Sequence, residues 1–288
     1  TLYLDQGEVS LSIDGKMVDR VPVDLGDRSE EVIAFTTVFD TEGTHVGEVR
    51  VTGDEFDVDN AYFFTVDVLP KIRVLLVNGE ASDNWFDDEG HWFGLAVSST
   101  EESPFQLETI EPAALTAAAL RQNDVAVLLN VGDLSGNQAD AITAYVETGG
   151  ALLIAPGDRV NPDLFNRQFD DIAPATLQSQ DVLGRDDYLV IADWDRRHPI
   201  LRPLDSDWSA RFQGLWSLLP NADADVLMQF DNTEPALVER EIGEGKVILF
   251  ASSLDLEWNN LPLQGLFLPF VHQTLRHLVQ PPVKQRAY

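Results

Sequence analysis

The chain has 288 residues, 44% of them hydrophobic, enough for about two packed domains at the usual size of roughly 100 to 200 residues each. Its 49 acidic side chains face only 19 basic ones, a formal net charge of −30. That excludes a phosphate-neutralising nucleic-acid surface and adhesion to anionic lipid, because both need clustered cations. Cysteine is absent, so disulfides and thiolate metal sites are excluded as well.

The cations include only four lysines, Lys16, Lys71, Lys246 and Lys284, and carboxylate excess with little lysine is how halophilic proteins stay soluble despite self-repulsion. No apolar run reaches the roughly 18 residues of a membrane span. The opening TLYLDQGEVSL has no basic or apolar leader and no initiator methionine, so the chain reads as a soluble piece of a longer protein.

From Val9 to Val68 short alternating runs (VSLSI, MVDRVPV, VIAFTTVF, HVGEVRV, AYFFTVDV) are separated by turn residues, with Asp14-Gly15 as a hairpin signal. Period-2 runs without a helical period predict a small immunoglobulin-like β-sandwich over residues 1–70, densely anionic with 16 acids against 4 bases. Pro70 marks a change of character. IRVLLVNG from Ile72 is continuously apolar, as for a strand covered on both faces by helices. FQLETI (Phe105 to Ile110), an Ala-rich helix from Pro112 to Leu120, DVAVLLNV (Asp124 to Val131), a helix from Gly136 to Thr148 and the strand ALLIAPG follow. Strands alternating with helices imply right-handed crossovers and a mainly parallel sheet. Tyr188 to Ala192, Val226 to Phe230 and Ala236 to Ile242 read as an antiparallel extension. Val247 to Ala251 reads as a last buried strand, and Leu261 to Leu278 as a helix buried against the sheet.

The frames IRVLLVNG, YVETGGALLIAPG and GEGKVILFASSLD resemble the class I glutamine amidotransferase-like, flavodoxin-like domain. The run FDVDNAYF joined to VLLVNGE, with the closing LPLQGLFLPFVHQ, resembles bacterial membrane proteins of the BatA type. The resemblance implies an α/β domain over residues 71–288. It also implies transmembrane segments flanking an ectodomain on the periplasmic face of the bacterial inner membrane, with a protein partner in the envelope.

Amidotransfer needs a cysteine on a strained elbow and a histidine after the last strand, because an imidazole-activated thiolate attacks the amide. At the corresponding places stand Ala155-Pro156-Gly157-Asp158 and Ser253-Leu254-Asp255, so a scaffold without the triad is expected. Ser252, Ser253 and His272 lack the G-x-S-x-G elbow of a serine hydrolase, and the serines read as partners of loop amides. His198 reads as a turn element.

Loops leaving the carboxyl ends of parallel strands are where sites are built. The candidates are therefore Asp255 and Glu257 as an acid and base pair, and Trp85, Trp92, Trp258 and Asn259 as ligand contacts. Trp85 and Phe86 with Trp92 and Phe93 make either a stacking platform or packing under a loop. Asp83, Asp87 and Asp88 with Glu89, and separately Asp54, Asp57 and Asp59, are the oxygen-rich runs a calcium ion would use, though neither fits the EF-hand spacing. No cofactor is expected. The leading functional expectation is a non-catalytic extracytoplasmic interaction domain. A carboxylate hydrolase and a calcium or carbohydrate binding module are the alternatives.

Overall fold

The computed structural model describes residues 4–25, 31–53, 60–98, 103–132, 134–184, 186–204 and 208–280. Asp54, Asp57 and Asp59 and the tail after residue 280 lie outside them. The chain divides into two compact units, Thr1–Pro70 and Lys71–Tyr288.

In the first unit β1 (Leu4–Ile13), β2 (Lys16–Leu25), β3 (Gly43–Thr52) and β4 (Ala61–Val68) form one antiparallel sheet in the order β2-β1-β3-β4. Asp14 and Gly15 both take positive φ, 50° and 74°, which gives the hairpin the twist its strands need. The Asp14 carboxylate accepts the Val46 amide at 2.9 Å and meets His45 Nδ1 at 2.6 Å, tying the turn to β3. The expected second layer is missing among the described residues. The run VIAFTTVF makes no strand. Its Ile33 and Phe35 instead line a cavity of about 350 Å³ with Val9, Val23, Val49 and Val51, so the alternation records which side chains face the sheet while the backbone joins no ladder.

The second unit holds a mixed eight-stranded sheet. Its parallel half is β5 (Ile72–Asn78), β6 (Phe105–Ile110), β7 (Val125–Leu129), β8 (Ala151–Ala155) and β14 (Gly245–Phe250). Its antiparallel half is β10 (Ile191–Trp194), β12 (Asp225–Phe230) and β13 (Pro235–Ile242), and the order is β10-β12-β13-β14-β8-β7-β5-β6. The sheet is mixed: four parallel pairings join β6, β5, β7, β8 and β14, and the three strands of the expected antiparallel extension continue it at one edge. A separate antiparallel pair, β9 (Ala175–Val182) with β11 (Gly214–Pro220), was not expected.

Strands β7, β8 and β14 are buried at every position, as two-sided cover requires. The cover comes from α1 (Glu89–Val97), α2 (Ala117–Gln122), α3 (Gly136–Glu147), α4 (Pro162–Phe169) and α5 (Phe267–Leu278). The expected helix from Pro112 is a single 3-10 turn to Ala114 followed by α2. Thr116 breaks the run because its side chain caps the Ala119 amide and starts a new helix. The closing helix likewise begins six residues late, at Phe267, after a 3-10 turn over Leu261–Leu263. Phe212, Phe230, Phe250 and Phe270 stack edge-on or tilted at 5.2 to 6.0 Å where the two halves meet, adding directional contact to the burial of each ring.

Candidate functional site at the carboxyl edge of the parallel strands

The first strand of the unit, β5, has β6 on one side and β7 on the other. The sheet therefore changes direction between β5 and β7, and the crevice outside such a point is where open α/β sheets take ligands. A cleft of about 660 Å³ lies there, lined by Asn78, Gly79, Glu111, Gly132, Gln138 and Arg159 among others.

Asn130 organises this edge. Directly after β7 its backbone takes φ 47°, a left-handed conformation that asparagine tolerates better than most side chains. Its amide donates to Glu80 and Asp158, both at 2.9 Å, and its carbonyl accepts the Arg159 amide at 3.0 Å. Arg159 completes the ring by donating to the Gly79 carbonyl and to Glu80 at 2.9 Å. The strands approach so closely that a Cβ on Gly79 would stand 2.0 Å from the Asn130 carbonyl oxygen, and one on Gly157 would stand 2.4 Å from the Asn130 side chain. The strained residue on a strand-to-helix turn is thus Asn130 and not the Ala155–Asp158 turn expected from sequence. It carries an engaged amide where a nucleophile would be needed.

Around this ring the field is negative. Glu89, in the first turn of α1, is 1% exposed, and neither carboxylate oxygen has a partner in hydrogen-bond geometry. The nearby Leu254 backbone eases its charge in part. Burial pushes its carboxyl well above the usual range, and Asp255, Glu80 and Asp158 push it further. Asp255 is also raised by burial, although the Ser253 hydroxyl donates to it at 2.6 Å and the Glu257 amide at 3.1 Å. Glu257, at the exposed rim, is raised by partial burial and then by Asp255, Asp158, Glu80 and Asp87.

The expected contacts divide sharply. Trp85 and Phe86 are each 45% exposed and stacked at 3.8 Å beside the acidic rim, whereas Trp92 is buried with its indole donating to the Phe86 carbonyl. Trp258 packs over Gly214, leaving no room for a Cβ there. Asn259 spends its amide on Ser252 Oγ and the Ser253 carbonyl and its oxygen on the Leu261 amide. Both hold the loop and offer a ligand nothing. Ser252 donates to the Gly214 carbonyl, and His272 meets the Ala96 carbonyl at 2.8 Å, so the serine and the histidine do not form a pair. Asp88 caps α1 and accepts from Asn78, Asp87 accepts from Asn84, and Asp83 lies exposed. Among the described residues these three carboxylates do not gather around one ion. Asn130, Glu80 and Arg159 escaped the sequence reading, although two apolar strands ending in VNG and LNVG were a usable sign of glycine-lined strand ends.

No protein-family model and no curated protein matches the chain. Solved structures do. A cytoplasmic protein of Salmonella typhimurium matches with TM-score 0.59 at 16% identity, covering 72% of this chain and 98% of its own. A ThuA-like protein of Bacteroides uniformis matches at 0.52 and 13%, covering 73% and 91%. The α/β unit has their fold. A β-galactosidase of Bacillus circulans also matches, at 0.51 and 14% identity, over 73% of this chain but only 30% of the enzyme. At these identities the likeness concerns architecture alone. Among the described residues no helix is long and apolar enough to cross a membrane.

Proposed function

We propose that the α/β unit is a non-catalytic recognition domain whose carboxyl edge takes a basic segment of a protein partner. One observation carries this reading: the exposed Trp85–Phe86 stack stands beside an acidic rim in which Asp255, Asp158, Glu80 and Asp87 add to partial burial in raising Glu257. Aromatic faces attract lysine and arginine heads by about 0.5 to 2 kcal/mol each, and a cationic side chain relieves the repulsion among the carboxylates. Among the described residues this edge holds no free nucleophile. Ser252 and Ser253 are engaged, and Asn130 occupies the strained turn. Asp255 is tied down by a hydroxyl and a backbone amide, which speaks against its serving with Glu257 as an acid and base pair.

The resemblance to BatA-type proteins supports placing this domain outside the cytoplasm, on the periplasmic face of a bacterial inner membrane between transmembrane segments of a longer chain. The test is direct. An arginine- and lysine-rich peptide titrated into the chain should quench tryptophan fluorescence. Trp85→Ala with Glu257→Gln should weaken binding by about tenfold or more, equivalent to about 1.4 kcal/mol. Peptide affinity indifferent to that pair of changes would reject the reading, as would amide or ester turnover that Asp255→Asn abolishes.

A further inference from the structure

A second cluster lies away from the carboxyl edge. His198 follows the turn after β10, Glu239 sits in the middle of β13 opposite Ile248 of β14, and His277 is in the last turn of α5. His198 Nε2 stands 3.0 Å from Glu239 Oε2 and His277 Nε2 stands 2.6 Å from Glu239 Oε1. All three ligand atoms lie within 4.8 Å of one another. The side chains are only 9 to 11% exposed, and the imidazoles meet edge to face at 4.6 Å. Lys246 donates to the His277 carbonyl at 3.3 Å and fixes the end of α5.

We propose that His198, Glu239 and His277 bind a single divalent ion of the zinc class. Two imidazoles and one carboxylate are the donor set of three-ligand zinc sites, with a fourth position left for water. With zinc bonds of about 2.0 to 2.2 Å, tetrahedral ligand atoms stand roughly 3.3 Å apart. The ion therefore needs the 3.0 and 2.6 Å separations to open by less than an ångström and the two ring nitrogens, within 4.8 Å of each other, to settle at the same spacing. In the metal-free protein a proton on each Nε2 fills the place of the ion. Metal uptake moves those protons to Nδ1 or to solvent, as ligation requires. His198 gives up only a 3.4 Å contact from the Ile200 amide to its Nδ1. His277 Nδ1 has no hydrogen-bond partner to give up, and among the described residues the cluster consists of these two rings and the carboxylate between them. The net charge of −30 raises the local concentration of cations around it.

The experiment is calorimetric titration of the chelator-treated chain with zinc in excess magnesium, which occupies the surface carboxylates. The expected result is one zinc per chain, proton release that follows buffer choice, and a rise in melting temperature because the ion favours the native state. That stoichiometry should be lost in His198→Gln, Glu239→Gln and His277→Gln and kept in His272→Gln, whose ring lies outside the cluster. Should the two core variants fail to fold, His198→Gln in its loop decides, together with the visible spectrum of the cobalt-loaded parent chain. Strong four-coordinate absorption supports the site. A weak six-coordinate spectrum, zinc uptake that survives in His198→Gln, or no uptake beyond the magnesium-blocked baseline overturns it and leaves a proton-held network only.

Discussion

Replacing Glu89 by glutamine should stabilise the α/β unit near neutral pH, by an amount that grows with pH. The side chain is 1% exposed, without a hydrogen-bond partner, and close to Asp255, Glu80 and Asp158. An unfolded glutamate ionises near pH ~4.3, whereas burial and these neighbours keep the folded carboxyl protonated to higher pH. Above ~4.3 the folded chain thus holds one proton more than the unfolded chain. Its stability is complete below that value and falls by about 1.4 kcal/mol per pH unit until the folded carboxyl ionises. Glutamine has the same shape, no charge to bury, and an amide that can donate to Asp255. Urea melts of both proteins, followed by tryptophan fluorescence from pH ~5 to ~8, measure the difference directly. A stability difference that stays constant across this range, or a variant less stable at neutral pH, would show that Glu89 is ionised and compensated in the folded protein.

Three further outcomes follow from the same edge and from the charge. Gly79→Ala should cost about 1 to 3 kcal/mol of stability, because its Cβ would meet backbone of Asn130 at 2.0 Å; an unchanged urea midpoint would mean the two strands part freely. Asn130→Ala should lose about 2 to 4 kcal/mol, from the left-handed backbone and the Glu80, Asp158 and Arg159 bonds together, and Asn130→Gly should recover only the backbone share. Melting temperature should rise with sodium chloride and equally with potassium chloride as the Debye length shrinks from about 30 Å at 0.01 M to about 3 Å at 1 M; flat or falling curves would show the acidic surface already compensated.

The parts of this fold legible in sequence are those where one physical demand dominates. β5, β7, β8 and β14 had to be apolar almost throughout because helices cover both faces, and that leaves an unbroken run in the text. The Asp14-Gly15 turn was legible because few residue pairs accept two positive φ values. Residues 32–39 misled because alternation reports which side chains face a sheet and says nothing of whether the backbone pairs. β9, buried at one end and exposed through Gln178 to Gln180, offered no period at all. At the site, Asp255, Glu257 and Trp85 were placed by their position after strands or beside a turn. Trp258 and Asn259 satisfied the same rule while serving the loop itself, a distinction that only hydrogen-bond partners make. His198, Glu239 and His277 are separated by 41 and 38 residues, so their meeting is a property of strand order and not of any local motif.

That strand order has a consequence for how the chain acquires its structure. β14 lies between β13, its neighbour in sequence, and β8, about a hundred residues earlier, and it alone joins the two halves of the sheet. During synthesis the parallel and antiparallel halves each wait with an open edge until residue 250 has emerged, and such edges invite pairing with other chains. Contacts of that sequence separation also slow the search for the native state. Refolding from urea should therefore pass through a species with β5 to β8 protected from hydrogen exchange before β14 is, and a cut just ahead of Gly245 should strand the two halves apart.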